Sequence, residues 1–202
     1  MRERVLVTGF EPFRGQTLNS SLEVVRALEG RAVSPVALET ACVPVLFDAA
    51  LEALRDAIHR FEPDVVIALG QADAYSQIAV EHVAVNLNSS EEPDNAGSRA
   101  TDLPVVPDGP IAYWSSLPVR GIVAALHDAG IPAVVSYDAG GFVCNHLFYG
   151  LMHLLANERL DTIGGFVHLP VLPEQAVGTG VPSMGRETLV KAVEVIVSAS
   201  SA

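Results

Sequence analysis

The feature that most narrows the possible folds is an alternation along the chain between two kinds of apolar pattern. The runs "RVLVTGF" (4–10), "PVALETACVPV" (35–45), "DVVIALG" (64–70), "AVVSYD" (133–138) and "GFVHLP" (165–170) are rich in β-branched residues and predict strands. Between them, "SSLEVVRALEG" (20–30), "FDAALEALRDAIHRF" (47–61), "PVRGIVAALHDAG" (118–130), "CNHLFYGLMHLLANE" (144–158) and "RETLVKAVEVIVSAS" (186–200) carry apolar residues at three- and four-residue spacing and predict helices. Gly30 and Gly130 stand where two of these helices should stop. Continuous apolar strands separated by helices imply an α/β fold, a mostly parallel sheet covered on both faces. One segment departs from this. "QIAVEHVAVNL" (77–87) alternates, with Ile78, Val80, His82, Ala84 and Asn86 on one face and Glu81, Val83, Val85 and Leu87 on the other. It reads as an edge strand or an antiparallel addition. The stretch from Asn88 to Pro110, rich in Ser, Glu, Asp and Pro, predicts a long loop of the functional or mobile kind.

Length and charge bound the rest. A chain of 202 residues, half of them hydrophobic, suits one domain over 1–202 with a large core. No repeat or linker interrupts it. A formal net charge of −12 leaves no basic stripe for phosphates, so nucleic acid is not an expected partner, and an anionic membrane surface is disfavoured too. Met1 to Phe10 lacks the apolar core of a signal peptide, and no uncharged apolar run approaches a membrane span. Two cysteines do not make a disulfide framework. The expectation is a soluble cytoplasmic protein with both thiols reduced.

In open α/β sheets ligands bind outside the carboxyl ends of the strands, so the segments following each strand are the ones to search. After 133–138, Ala139-Gly140-Gly141 allow a tight turn that delivers Cys144 to a helix start. Unpaired N–H groups and the positive end of the helix dipole there favour a thiolate, and the same N–H groups can receive an oxyanion. The plainer reading is one more small buried apolar residue. Cys42, inside "LETACVPV", is expected to be buried and inert.

A nucleophilic thiol needs a base. Of six histidines, His59 and His127 fall near the ends of amphipathic helices and should be exposed; His146 and His153 share the helix of Cys144; His82 sits mid-strand and reads as structural. His168 ends a strand immediately before Pro170 and Leu169, and it alone has the required location. Glu81 stands in an otherwise apolar strand, where a carboxylate is costly to bury unless paired. It would orient the imidazole, or else be an exposed edge carboxylate; the pattern leaves both open. The loop after "VLVTGF" lacks G-x-G-x-x-G and G-x-x-x-x-G-K-[ST], which argues against phosphate. Phe10 and Phe13, with Phe142 at another strand end, suit a flat neutral ligand, and Gln71 offers an amide that both donates and accepts.

"VLVTGFEPF", "NSS" after it, "PDVVIALGQA", "VEHVAVNLN", "PDNAG", "AYWSSLPV", "GIPAVVSYDAGGFVCNHLFYGLMH" and "GGFVHLPVLPEQ" run in order from about residue 4 to 200 and resemble the pyroglutamyl peptidase I (pyrrolidone carboxyl peptidase) family. The resemblance implies a phosphorylase/hydrolase-like three-layer α/β/α fold, a twisted mixed sheet with helices on both faces, commonly assembled as a homotetramer. It implies a cysteine peptidase that removes an N-terminal pyroglutamyl residue from peptides through a thioester, with no metal and no cofactor. The family triad lands on Glu81, Cys144 and His168, and the substrate-binding positions on Phe10, Phe13, Asn19, Gln71, Phe142 and Val143. Pyroglutamate is a lactam without an ionisable amine, so an apolar slot admits it and leaves a free ammonium unpaired.

The chain departs from the family pattern in the loops. Arg14 takes the place of the first glycine after "EPF", Tyr75 stands for an arginine in "GQADAYS", "SYDAG" replaces an "SNSAG"-like run, and "SSEEPDN" puts Glu91 where the family has an arginine. Like charge on Glu91, Glu92 and Asp94 is expected to push the Asn88–Asp102 segment outward. A cysteine amidase or esterase on another acyl group, and a silent lactam-binding protein, are the competing readings.

Overall fold

The computed structural model describes residues 3–31, 33, 35–158 and 161–201; the expected domain limits, Met1 and Ala202, lie outside the described residues. In chain order the elements are β1 (Arg4–Phe10), α1 (Ser20–Leu28), β2 (Ala37–Val43), α2 (Phe47–Phe61), β3 (Val65–Gln71), β4 (Ile78–Glu81), β5 (Val83–Val85), β6 (Asn88–Ser90), β7 (Ala100–Leu103), β8 (Ala112–Trp114), α3 (Val119–Asp128), β9 (Ala133–Ser136), α4 (Val143–Asn157), β10 (Ile163–Leu169), α5 (Pro173–Ala176) and α6 (Arg186–Ser201). Six strands form the main sheet in the order β2-β1-β3-β10-β4-β9.

Strand β3 is buried along its whole length, as a central parallel strand must be when helices cover both faces. The two-residue period of a strand sorts the core into two layers. Val5, Val7, Val65, Ile67 and Val167 face one way, against α1, α3 and α6 through Val25, Leu126 and Val193. Leu6, Phe10, Val66, Ala68 and Phe166 face the other way, against α2 and α4 through Leu54, Ile58, Leu147 and Phe148. These are the three expected layers. Asn19 starts α1 because its carboxamide oxygen accepts the Ser21 N–H at 3.0 Å. Gly30 and Gly130, with φ of 70° and 73°, follow the ends of α1 and α3. Helix α4 is buried on nearly all sides because the sheet covers one flank and α2 another.

Where the structure differs from the sequence reading, strand pairing is the reason. Segment 77–87 is not one strand. At His82 the N–H donates to the Ser136 carbonyl (2.7 Å) while the carbonyl accepts the Ser115 N–H (2.9 Å), so neighbouring peptide groups serve different partners. The chain therefore leaves the main sheet after β4 and continues as β5, paired with β8. Strand β4 is antiparallel to β10 but is not an edge: β9 lies outside it. Because β9 is parallel to β4, it runs against β10, β3, β1 and β2, and residues 137–142 double back to the carboxyl ends of β3 and β10 before α4 begins.

The expected long loop holds a hairpin, β6 against β7. The carboxylates in it do not drive it away. Glu92 pairs with Arg14 (3.2 Å), and buried Asp94 accepts the N–H groups of Ala96, Ser98 and Phe47 at 3.0, 2.8 and 3.4 Å. Asn95 donates to Glu11 Oε1 (2.7 Å) and to the Pro12 carbonyl (3.0 Å), and Arg99 Nε donates to the Glu91 carbonyl (2.8 Å). Cys42, expected to be buried, is exposed, since β2 is the other edge of the sheet.

Candidate active site

A cavity of about 360 Å³ opens at the carboxyl ends of β1, β3 and β10. Phe10, Phe13, Asn19, Gln71, Phe142 and Val143, the six positions singled out for substrate binding, all line it, together with Cys144 and His168. Glu81 lies behind His168, fully buried.

Antiparallel register brings the last two together. Glu81 stands opposite Phe166, so its side chain leaves the sheet on the same face as His168, two residues further along β10. Glu81 Oε1 lies 2.8 Å from His168 Nδ1, which leaves Nε2 for the cavity. The reading of Glu81 as an exposed edge carboxylate is thereby corrected; a carboxylate this buried requires a partner. The imidazole packs edge-on to Phe166, with ring centroids 4.9 Å apart. Burial by itself would lower the His168 pKa. The charge and hydrogen bond of Cys144, then those of Glu81, outweigh it and raise it to about 10.

Cys144 is the second residue of α4. Its N–H and that of Val143 precede the first intrahelical bond, Phe142 caps the helix without a side-chain bond, and no acidic residue occupies the first turn. Positive dipole and free donors therefore meet at the sulfur. Gly140, with φ of 79°, makes the turn that precedes the helix. Gly70 makes room: a Cβ there would meet the Phe166 ring at 2.6 Å and Cys144 Sγ at 3.1 Å.

The remaining walls are aromatic. Phe13 and Phe142 lie 6.2 Å apart, centroid to centroid, and Phe47 packs edge-on to Phe142 at 5.7 Å. Asn19 and Gln71 line the cavity but their amides are largely engaged. Asn19 Oδ1 accepts from Ser21 N–H and from its hydroxyl (2.7 Å), and Nδ2 donates to the Glu11 carbonyl. Gln71 Oε1 accepts the Ser20 N–H (2.8 Å) and Gln175 Nε2 (2.9 Å). Pairing of a polar ligand therefore falls mainly to backbone groups.

The other histidines lie elsewhere. His59 pairs with Glu158 (3.0 Å), His127 meets the Ala133 carbonyl (2.8 Å), and His153 meets the Tyr113 hydroxyl (2.9 Å). His82 packs between Trp114 and Tyr137. His146 is buried against Phe47 and lies 3.1 Å from Asn88 Oδ1, and burial pushes its pKa down to about 4. Sequence reasoning passed over Phe47, Asp94 and Gln175. A phenylalanine at a helix start just past a strand was the available signal for the first; for Asp94 an aspartate ahead of Asn95-Ala96-Gly97 signalled a local turn but not the contact with Phe47, and Gln175 had no signal because its partners are distant in sequence. Among the described residues no group of three metal-ligating side chains converges, and no helix is long and apolar enough to cross a membrane.

A thiol at a helix start, an imidazole and a buried carboxylate, set at one end of an α/β sheet, are the equipment of a cysteine hydrolase. The sequence profile of pyroglutamyl peptidase matches residues 3–202. The chain belongs to the pyroglutamyl peptidase family, cysteine peptidases that remove an N-terminal pyroglutamyl residue. It is 48% identical over 192 residues to the pyrrolidone-carboxylate peptidase of Enterobacter sp. (strain 638), covering 95% of this chain and 89% of that one. The crystal structure of pyroglutamyl peptidase I from Bacillus amyloliquefaciens superposes with a TM-score of 0.97 at 42% identity, over 100% of this chain and 96% of that chain. A mutant pyrrolidone carboxyl peptidase from the hyperthermophile Pyrococcus furiosus gives 0.94 at 36% identity, over 98% and 97%.

Proposed function

We propose that this chain hydrolyses the bond after an N-terminal pyroglutamyl residue, with Cys144 as nucleophile, His168 as acid and base, and Glu81 as the group that orients His168. The observation that carries this is that buried Glu81 lies 2.8 Å from His168 Nδ1 while His168 and Cys144, at the start of α4, line one cavity. Cys144 gives its proton to His168 and becomes the nucleophile. It attacks the pyroglutamyl carbonyl, and the N–H groups of Val143 and Cys144 receive the oxyanion. As the C–N bond breaks, His168 delivers its proton to the leaving amine and a thioester remains. His168, now neutral, takes a proton from water, whose oxygen attacks the thioester; the thiolate departs and regains its imidazolium partner.

Selectivity follows from the apolar inner wall of the cavity, away from Asp73 and Asp138 at its exposed rim. Phe10, Phe13 and Phe142 give it flat apolar walls for the lactam ring. A free glutamyl or glutaminyl terminus would bring an unpaired ammonium between them. We further place the enzyme in the cytoplasm, on its free cysteines, and treat residues 1–202 as one domain. A homo-oligomer, a tetramer by family resemblance, is supported by exposed Ile111, Trp114 and Tyr137.

A chromogenic pyroglutamyl amide, assayed beside alanyl and glutamyl amides, tests the reading. Turnover of the pyroglutamyl amide alone is expected. Turnover of the others instead would mean a different acyl substrate, and binding without turnover a silent lactam-binding protein.

A further inference from the structure

Resting on that reading, we infer that Tyr75 is a specificity-determining residue and favours peptides whose second residue, the one after pyroglutamate, is cationic. The direction of the leaving group follows from the chemistry. His168 must protonate the departing amine, so the peptide beyond the scissile bond runs out along the His168 side of the cavity, away from the Phe13–Phe142 wall. Tyr75 lines that side. Its ring centroid lies 5.8 Å from that of His168, and its hydroxyl donates to the Asp138 carbonyl at 3.5 Å, across the cavity mouth. The second side chain of a bound peptide therefore meets an aromatic face first.

Charge at the mouth selects what that face will accept. Asp73 and Asp138 both line the cavity, and both are exposed. Apart from His168, which is paired with Glu81 deep in the site, Arg14 is the one cationic side chain among the lining residues, and it is shared between Glu92 at 3.2 Å and Asp73 at 3.6 Å. Counting Glu92, three carboxylates face one guanidinium. The Asp138 carboxylate accepts the Gly140 N–H at 2.9 Å through Oδ1 and is exposed among the lining residues. A lysine or arginine at the second position finds a π-face and uncompensated negative charge within one side chain's reach. A glutamate there finds only repulsion.

The test is kcat/KM for pyroglutamyl-lysine, -arginine, -leucine and -glutamate amides, with the chromogenic pyroglutamyl amide as reference. Because the groups are partly exposed, the expected preference for basic over neutral is about three- to tenfold, with glutamate lowest. Raising the salt to about 1 M should shrink the preference. Tyr75→Leu and Asp138→Asn should each move the basic-to-acidic ratio toward one; Asp138→Asn keeps an acceptor for Gly140. Equal rates across the panel, an acidic preference, or a basic preference that survives both substitutions would overturn the inference. If the reference amide itself is not hydrolysed, it is the peptidase reading that fails. A hydrolysed reference with a flat panel removes only the role of Tyr75.

Discussion

Glu81 and His168 meet diagonally across an antiparallel strand pair, Oε1 to Nδ1 at 2.8 Å, with both side chains out of solvent. The proton on Nδ1 is held by a carboxylate whose second oxygen has no hydrogen-bond partner among the described residues. This arrangement makes the tautomer of His168 a property of the sheet register.

Replacing one end of that contact grades the roles. His168→Ala removes the proton carrier and should lower kcat/KM by about 10⁴-fold. Glu81→Gln keeps the volume and one acceptor oxygen, and should lower it by about 10²-fold. Steady-state kinetics on the chromogenic amide decide it, and wild-type kinetics in Glu81→Gln would return Glu81 to a structural role.

Thiol reactivity separates the two cysteines. Cys144→Ala and Cys144→Ser should fold and be inactive. Cys42 is exposed, so iodoacetamide reaches it, but partial desolvation and then Glu11 raise its thiol pKa. Near pH 7 alkylation of Cys144 should run well ahead of Cys42, followed by peptide mass mapping. Equal rates in the folded protein would remove the case for an activated thiolate.

Buried His146 sets an acid limit on stability. Its folded pKa is lowered to about 4, against 6.5 for the ordinary group, so the unfolded chain binds the proton first. The stabilising contribution is complete above pH 6.5 and is lost as pH falls from there toward 4, by about 3 kcal/mol for a shift of this size. His168 has the opposite sign. Its contribution is complete below pH 6.5 and fades as pH rises toward 10. Urea denaturation from pH 4 to 8 should show a slope below pH 6.5 that His146→Gln flattens; an unchanged slope would clear His146 of the effect.

Gly70 is a steric requirement of the site. In Gly70→Ala the new methyl group displaces the Phe166 ring or Cys144 Sγ. A destabilisation of about 1–3 kcal/mol is expected, with a fall in kcat larger than the change in KM. A variant with the wild-type Tm and kcat would show that the packing around Sγ yields at no cost.

The strands and helices were legible without coordinates, and the structure then sorted their residues into layers. The two-residue period of "RVLVTGF" separates Val5 and Val7 from Leu6 and Phe10, and the helical spacing of Leu54 and Ile58 marks the face that covers them. Cys144 and His168 were legible for a related reason: each adjoins a local signal, a glycine turn or a proline stop, that places it at the end of an element. Gln71 was legible as a lining residue from its place after a strand and Asn19 only through the family resemblance, though the bonds that occupy their amides were not.

Relations between residues a few positions apart specify the elements, their buried faces, and the thiol and imidazole at element ends. Tertiary structure alone decided what depends on pairing between distant segments. Nothing near Glu81 indicates that β9 will cover β4 and bury the carboxylate beside His168, because strand partners are chosen by register between residues 87 positions apart. Nothing in "SSEEPDN" indicates that Asp94 will accept the first N–H of α2, 47 positions away. Periodicity is local, whereas the partner that satisfies a buried charge is chosen only when the sheet closes around it.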